Sequence, residues 1–182
     1  MAKLAEKTYA DALFKLAVES GQIDVLFEES KSVIQILKEN EDLIKLLCHP
    51  KIKKEEKISV IENVFKGRVC DDMTGFLVLT IEKERHNELI GILDVFIGLV
   101  KEHKHIGVAY VTTAIELDDA RKKEIEQKLI GTTNYVQFEM HFKVDKEIIG
   151  GMIIRIGDRV VDSSIKSKIE NMSKDLYNIQ LA

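Results

Sequence analysis

The sequence predicts a mainly α-helical protein with a smaller α+β part, in which a bundle of five or six helices comes first. Apolar residues recur at helical spacing through residues 1–105, and beyond them the period falls from about 3.6 residues to 2. The chain has 182 residues, 45% of them hydrophobic, which suffices for one large domain or two small ones. We therefore expect a helical domain over residues 1–105 and an α/β domain over residues 106–182.

The first three helices follow from apolar spacing and from stop signals. The first ends near Gly21, which can adopt the left-handed conformation of a helix stop. Asp24 is placed to cap a second helix that runs to about Asn40, and a short third helix ends at a corner over residues 48–50, because Pro50 disfavours helix in the residue before it. The apolar residues of these helices are Tyr9, Leu13, Leu16, Ala17, Phe27, Ile34, Leu37, Leu43, Leu46 and Leu47.

Three more helices are predicted before residue 105. The charged run 53–57 opens the fourth, which Gly67 closes, and Asp71-Asp72 is placed to cap the fifth. The fifth is apolar nearly all round, so it is either central in the bundle or partly covered by something else; we expect Phe76, Leu79 and Ile81 to be core. Because each apolar stripe needs another helix to cover it, these helices form a bundle.

The C-terminal part alternates strands with helices. Residues 106–115 predict a strand, a helix from Asp118-Asp119 to Gly131 follows, and residues 136–144 alternate as a strand with one buried and one exposed face. A hairpin with a Gly157-Asp158 turn comes next, and then a helix capped within residues 162–164. We expect its narrow heptad seam to pack on the sheet, with a coiled-coil partner as the alternative. The seam consists of Ile165, Ile169, Met172, Leu176 and Ile179.

Composition excludes several classes of function. The net charge is −4, with 16 basic and 19 acidic residues before residue 106 and 11 and 12 after it, so broad nucleic-acid binding has no electrostatic basis. The longest uncharged stretch is about ten residues, whereas a bilayer crossing needs about 20 apolar ones. Cys48 and Cys70 are too few for a disulfide framework. We therefore expect a soluble intracellular protein with reduced thiols.

Catalytic signals are scarce. Gly150-Gly151 with Gly157 is far better explained by a hairpin than by a phosphate cradle. His103 and His105 lack further metal ligands nearby in sequence, and Cys48 beside His49 is an unfavourable thiol–imidazole pair because adjacent side chains rarely point at each other. We predict no catalytic site, cofactor or metal, which leaves surfaces for partners. The first and fifth helices are the candidates, because a groove between two helices can receive a third.

Ordered segments resemble one known family. Tyr-Ala-Asp-Ala-Leu at residues 9–13 is similar to the opening of the δ subunit family of bacterial F-type ATP synthases, the counterpart of the mitochondrial oligomycin-sensitivity-conferring protein. Residues 111–117 resemble its interdomain strand, and residues 144–152 and 156–165 resemble its C-terminal signature. The residues similar to its third-to-fourth helix corner are Leu47, Pro50, Lys57 and Phe65.

The resemblance implies an N-terminal six-helix bundle, a small C-terminal α/β domain and a non-catalytic role in the peripheral stalk. The bundle would hold the N-terminal helix of an α subunit between its first and fifth helices, and the C-terminal domain would engage the C-terminal ends of the b subunits. The chain would resist rotor torque so that proton flow is coupled to ATP synthesis. Without an N-terminal extension, we expect a peripheral protein at the cytoplasmic face of a bacterial inner membrane.

Pattern and resemblance together suggest two sets of site residues. Gly150 and Gly151 are expected to serve backbone geometry at the hairpin entry, and Asp162 or Ser163 to cap the last helix. The alternatives are a helical-bundle adaptor or regulator that binds a different helix, and a small enzyme using residues 150–158. The expected lining of the α-subunit groove is Tyr9, Ala10, Leu13, Phe76, Leu79 and Thr80.

Overall fold

The computed structural model describes residues 2–49 and 51–180, and within them the side chains of residues 4–40, 42–49 and 51–174. Over these ranges the chain forms eight α-helices and a small four-stranded mixed sheet. The helices are α1 (Ala2–Glu19), α2 (Ile23–Glu39), α3 (Glu41–Cys48), α4 (Lys54–Phe65), α5 (Asp71–Glu82), α6 (Leu89–His103), α7 (Asp119–Thr132) and α8 (Ile165–Gln180). The strands are β1 (Ile106–Thr113), β2 (Gln137–Val144), β3 (Met152–Ile156) and β4 (Arg159–Asp162).

The chain divides into two compact units, Met1–Lys101 and Glu102–Ala182. In the first unit a single hydrophobic core joins every helix from α1 to α6. The apolar stripes therefore cover one another, as the helical spacing predicts. One buried residue from each helix illustrates this: Leu13, Leu37, Leu47, Phe65, Leu77 and Phe96.

Two of the predicted helix caps are wrong. Asp24 lies inside the first turn of α2, and α5 is capped by Cys70, whose Sγ accepts a hydrogen bond from the Met73 N–H at 3.4 Å. Asp71 and Asp72 occupy the first turn instead. The reason is that a carboxylate is favourable anywhere in the first turn, where it faces the positive end of the helix dipole, so acidic residues locate the turn more reliably than the cap.

The predicted corner after α3 is present at its described residues. α3 ends at Cys48, and His49 is extended with φ −72° and ψ 125°. Pro50 lies outside the described residues. The helix stop at Gly21 is confirmed, because this residue has φ +67°, which favours glycine.

In the second unit the strand order is β2-β1-β3-β4, with β1 parallel to β2 and antiparallel to β3, and β3 antiparallel to β4. A parallel pair needs a crossover, which α7 supplies. The helix is capped by Asp118, as predicted, but it runs past Gly131 to Thr132. The predicted alternation of residues 136–144 is only partly realised. Phe138 is buried, but Val144 at the end of this edge strand is exposed, and Val136, also exposed, lies before the strand begins.

The hairpin entry shows why glycine is needed there. Gly151 has φ +78°, and a Cβ at this position would lie 2.4 Å from the Ser163 carbonyl oxygen. A Cβ at Gly150 would meet the Ile165 side chain at 2.7 Å. The turn glycine, Gly157, has φ +55°. Both glycines of the pair therefore serve close approach of the chain to the start of α8.

The cap of α8 is Ser164 rather than Ser163. The Ser164 Oγ accepts from the Ser167 N–H at 3.2 Å, while the Ser163 hydroxyl donates to the Met152 carbonyl of β3 at 2.9 Å. Asp162 supports the cap, since its carboxylate accepts from the Ser167 hydroxyl at 2.6 Å and from the Ser164 N–H at 2.8 Å. These donors lower the pKa of Asp162.

Candidate helix-docking groove

A groove of about 490 Å³ runs between α1 and α5 on the surface of the first unit. Two half-exposed leucines flank it, Leu16 from α1 (38% exposed) and Leu79 from α5 (40%). Buried Leu13 and Phe76 form its floor. The described lining residues are Thr8, Tyr9, Ala12, Leu13, Leu16, Asp71, Asp72, Gly75, Phe76 and Leu79.

The groove exists because α1 carries two neighbouring apolar stripes. Ala10, Leu13 and Ala17 have spacings of 3 and 4 and face the core. Each of these three residues is directly preceded by a groove residue, since Tyr9, Ala12 and Leu16 have the same spacings one position earlier. Adjacent residues are rotated by about 100° around a helix, so the second stripe lies beside the core stripe and is left uncovered in the chain itself.

Small residues on both helices leave room for a third. Ala12 and Gly75 are exposed lining residues, and a Cβ built on Gly75 would meet nothing within 4 Å. Small side chains allow the backbone of another helix to approach closely, and large flanking side chains then supply apolar contact. The arrangement therefore fits a helix better than an extended strand, which would need free backbone groups along an edge.

The charge of the groove is confined to one part of its lining. Asp71 and Asp72 are the only carboxylates among the lining residues that the structure describes, and they occupy the first turn of α5. No histidine, cysteine or lysine is among the described lining residues. The described lining can therefore bury apolar surface and attract a basic side chain next to this turn. It carries no side chain suited to proton transfer or nucleophilic attack.

The structure brings together four of the six predicted groove residues. Tyr9, Leu13, Phe76 and Leu79 line the groove. Ala10 and Thr80 do not, because both are fully buried in the core, and the Thr80 hydroxyl donates to the Leu77 carbonyl at 2.7 Å. The expectation that Leu79 is core is likewise wrong, whereas it is right for Phe76 and Ile81.

The sequence does contain a pattern that indicates the lining residues missing from the prediction. Ala12 and Leu16 follow Tyr9 by 3 and 7 residues, and Gly75 precedes Leu79 by 4, which places each set on one helix face. A small residue between large apolar ones on such a face is typical of a helix–helix contact. Thr8 also lines the groove, but its hydroxyl donates to its own helix, at the Leu4 carbonyl.

The other candidate sites do not assemble. The His49 imidazole Nδ1 accepts from the Lys51 N–H at 3.2 Å. The pKa of the Cys70 thiol is raised, first by burial and then by the Glu29 carboxylate, which disfavours a reactive thiolate. Across the described part of the chain, no group of three or more His, Cys, Asp or Glu side chains is placed to hold a metal ion. None of the described helices is long and apolar enough to cross a membrane.

The described residues present a preformed apolar groove between two helices, in a helical unit that a small mixed sheet follows along the chain. Residues 5–176 match the family described as ATP synthase delta (OSCP) subunit. The chain is 59% identical to the ATP synthase subunit delta of Lachnoclostridium phytofermentans over 100% of both chains, and 34% identical to that of Desulforamulus reducens over 94% of each. The chain therefore belongs to the ATP synthase delta (OSCP) subunit family.

The fold is shared with a distant solved structure. A chain of the Toxoplasma gondii mitochondrial ATP synthase hexamer, determined by cryo-EM, superposes with a TM-score of 0.75 at 18% sequence identity. The match covers 94% of this chain and 97% of the other. The fold therefore persists where little sequence identity remains, while the predicted family membership is confirmed by the family match over residues 5–176.

Proposed function

We propose that this chain is a non-catalytic connector in the peripheral stalk of a bacterial F-type ATP synthase. Its first unit, as a six-helix bundle, binds the N-terminal helix of an α subunit in the groove between α1 and α5, and the region 106–182 binds the b subunits. The observation that carries the proposal is the preformed apolar groove between the two helices. Membership of the delta (OSCP) family supports it independently.

The proposed occupant of the groove is an amphipathic helix with a basic residue near one end. Its apolar stripe would contact Leu16 and Leu79, and its backbone would approach over Ala12 and Gly75. A Lys or Arg would lie near Asp71 and Asp72, at the first turn of α5. Opposite charges at the rim of an interface act mainly on orientation and on the rate of association, so this pair would fix the direction of the bound helix.

The mechanical task explains why such a protein needs two docking surfaces and no chemistry. Proton flow turns the rotor, and the catalytic head would turn with it unless a connector anchored it to the membrane sector. Because both contacts lie within one complex, each raises the effective concentration of the other, so neither needs extreme affinity. The proposed place of action is the cytoplasmic face of the inner membrane, where the chain would be held through its partners.

The test is binding of a labelled synthetic peptide of the α-subunit N-terminus to the full chain, measured by fluorescence anisotropy. Leu16→Asp and Leu79→Asp should each weaken binding about 10- to 100-fold, because burying a leucine contributes roughly 1.5–3 kcal/mol and about 1.4 kcal/mol is tenfold in Kd. Leu13 and Phe76 are unsuitable positions, since both are nearly fully buried and an aspartate there would unfold the core.

Val18→Asp is the matched control. Val18 lies on the same helix as Leu16 and is exposed to a similar degree, 45%, but it does not line the groove. This variant should bind the peptide like the wild type. Equal affinity of all three variants, with unchanged circular dichroism, would remove the groove assignment. Return of coupled ATP synthesis, when the chain is added to stripped catalytic heads and stripped membranes, tests the complete proposal.

A further inference from the structure

Glu29 joins α2 to the beginning of α5. Its Oε1 accepts a hydrogen bond from the Cys70 backbone N–H at 2.8 Å, and both residues are partly buried. Cys70 is the cap of α5, and the next two residues, Asp71 and Asp72, are the carboxylates described in the lining of the groove between α1 and α5. A side chain of α2 thus holds the residue from which the acidic part of the groove begins.

The cap of α5 is weak by itself. The Cys70 Sγ accepts from the Met73 N–H at 3.4 Å, and a thiol sulfur is a weaker acceptor than the side-chain oxygens that usually cap helices. The pKa of the Cys70 thiol is raised, first by burial and then by the Glu29 carboxylate, so the sulfur keeps its proton and does not become a stronger thiolate acceptor. The first turn of α5 therefore relies on a contact from outside the helix for its position.

Stability alone is a poor explanation for Glu29. Its second carboxylate oxygen, Oε2, is buried and has no hydrogen-bond partner among the described residues. A buried polar atom without a partner costs about as much stability as a hydrogen bond to a charged group contributes. The two contributions of the carboxylate thus offset each other, and what remains is the position that it gives to the start of α5.

We propose that Glu29 is a positioning residue for helix docking. It holds the Cys70 N–H, and with it the first turn of α5, in the arrangement in which Asp71 and Asp72 face a basic side chain of the docked helix. This role rests on the proposed function, within which that helix is the N-terminal helix of an α subunit. Glu29 is not among the described lining residues of the groove, so it acts through the turn and not by contact with the partner.

The size of the effect follows from how often the first turn of α5 is formed. When only a fraction of the molecules is competent to bind, the apparent Kd rises by the inverse of that fraction. Glu29→Ala removes the acceptor of a charge-assisted hydrogen bond and should leave the turn formed between about one third and one tenth of the time, so the Kd should rise about three- to tenfold. A merely structural role would not change the Kd, because a variant that is still folded would bind with the affinity of the wild type.

The experiment measures the Kd of the labelled α-subunit peptide for full-length variants by fluorescence anisotropy. Glu29→Gln keeps one carbonyl oxygen for the Cys70 N–H and should bind within about twofold of the wild type. Ser30→Ala is the matched control, because it removes a buried hydroxyl that donates to the Leu26 carbonyl at 2.7 Å within α2, and it should leave the Kd unchanged. Amide hydrogen exchange over residues 70–74 should become faster in Glu29→Ala and in neither of the other two variants.

A double-mutant cycle tests whether Glu29 acts through the carboxylates of the turn. Asp71→Asn and Asp72→Asn together remove the attraction for a basic side chain, so the position of the turn should matter much less in this background. There Glu29→Ala should change the Kd less than about twofold, although it raises the Kd about three- to tenfold in the otherwise wild-type chain. Glu29→Ala should also reduce the dependence of the Kd on salt, because the attraction that salt screens is weakened.

The outcomes separate this role from the proposed function. If the wild type binds the α-subunit peptide and Glu29→Ala binds it equally well, the positioning role is overturned while the connector function stands. The positioning role is also overturned if Glu29→Gln binds as weakly as Glu29→Ala, or if the loss of affinity is equally large in the background that lacks the Asp71 and Asp72 carboxylates. If the wild type does not bind the peptide, the proposed function fails, and the positioning role fails with it.

Discussion

The two units of the chain differ in how completely they bury their own apolar surface. Twenty apolar residues form one buried cluster in the first unit, whereas five described ones, Ala109, Val111, Ile125, Phe138 and Ile148, are buried in the second. The first unit leaves a groove open on an otherwise complete core. In the second unit, the α8 side chains from residue 165 to residue 174 are exposed except for Ser167, so the expected packing of its apolar stripe on the sheet is wrong for these residues. The first unit is thus a nearly complete core with one open groove, whereas the second has a small core.

The contrast has a thermodynamic consequence. A ligand that binds only the folded state stabilises it by an amount that depends on its concentration relative to Kd, whichever unit it binds. The unit with the smaller core starts from lower stability, because burial of apolar surface is the main favourable contribution to folding. We therefore expect partner binding to decide whether the second unit is folded, and to matter less for the first.

The largest effect should come from Phe96→Ala. Phe96 is fully buried in the core of the first unit, and truncation of such a phenylalanine costs roughly 3–5 kcal/mol. Hydrogen exchange by mass spectrometry in increasing urea should show the loss of protection in peptides from residues 1–101 and little change in peptides from residues 102–182. Equal loss of protection in both sets of peptides would mean that the chain unfolds as one cooperative body. The two units would then not differ in stability as expected.

The next largest loss of folding stability, about 2–3 kcal/mol, is expected for Gly151→Ala in the second unit. A Cβ there meets the Ser163 carbonyl oxygen at 2.4 Å in a left-handed backbone, so both strain and a clash with backbone oppose it. Gly157→Ala is the control, because Gly157 also has a positive φ, +55°, but has nothing within 4 Å of the added Cβ.

Gly157→Ala should lower the free energy of unfolding by only about 1–2 kcal/mol, because alanine is strained in the left-handed backbone conformation. Urea denaturation, with protection read from peptides after residue 102, measures both variants. Equal losses would show that the contact between Gly151 and Ser163 does not constrain the start of α8.

Much of the fold could be read from the sequence, and the failures share a cause. Periodicity located the helices, the strands and the stripe of α8, because it reports on which side chains share a face. It does not report what covers that face. For this reason Ala10 was placed in the groove although it lies in the core, Ala12 was missed, and Ile169 was expected to pack on the sheet. Coverage depends on the positions of other elements, and a single helix pattern carries no such information.

The smallest effect concerns acid and belongs to the first unit. His86 lies in a short 3-10 turn before α6, and its Nδ1 is buried with no hydrogen-bond partner among the described residues. Burial lowers its pKa below 6.5, Lys57 lowers it further, and Glu84 opposes them. The unfolded chain therefore binds the proton more readily than the folded chain. The contribution of His86 to the free energy of unfolding is full above about pH 6.5 and declines as the pH falls from there towards the folded-state pKa.

His86→Leu should remove this decline, because leucine has no titrating group, and the variant should fold because an apolar side chain suits the neighbouring Leu37, Leu47 and Ile90. Urea denaturation of both proteins at pH 7.5 and 5.5, read from peptides of residues 1–101, measures the difference. If the free energy of unfolding falls equally between pH 7.5 and 5.5 in the wild type and the variant, groups other than His86 cause the fall.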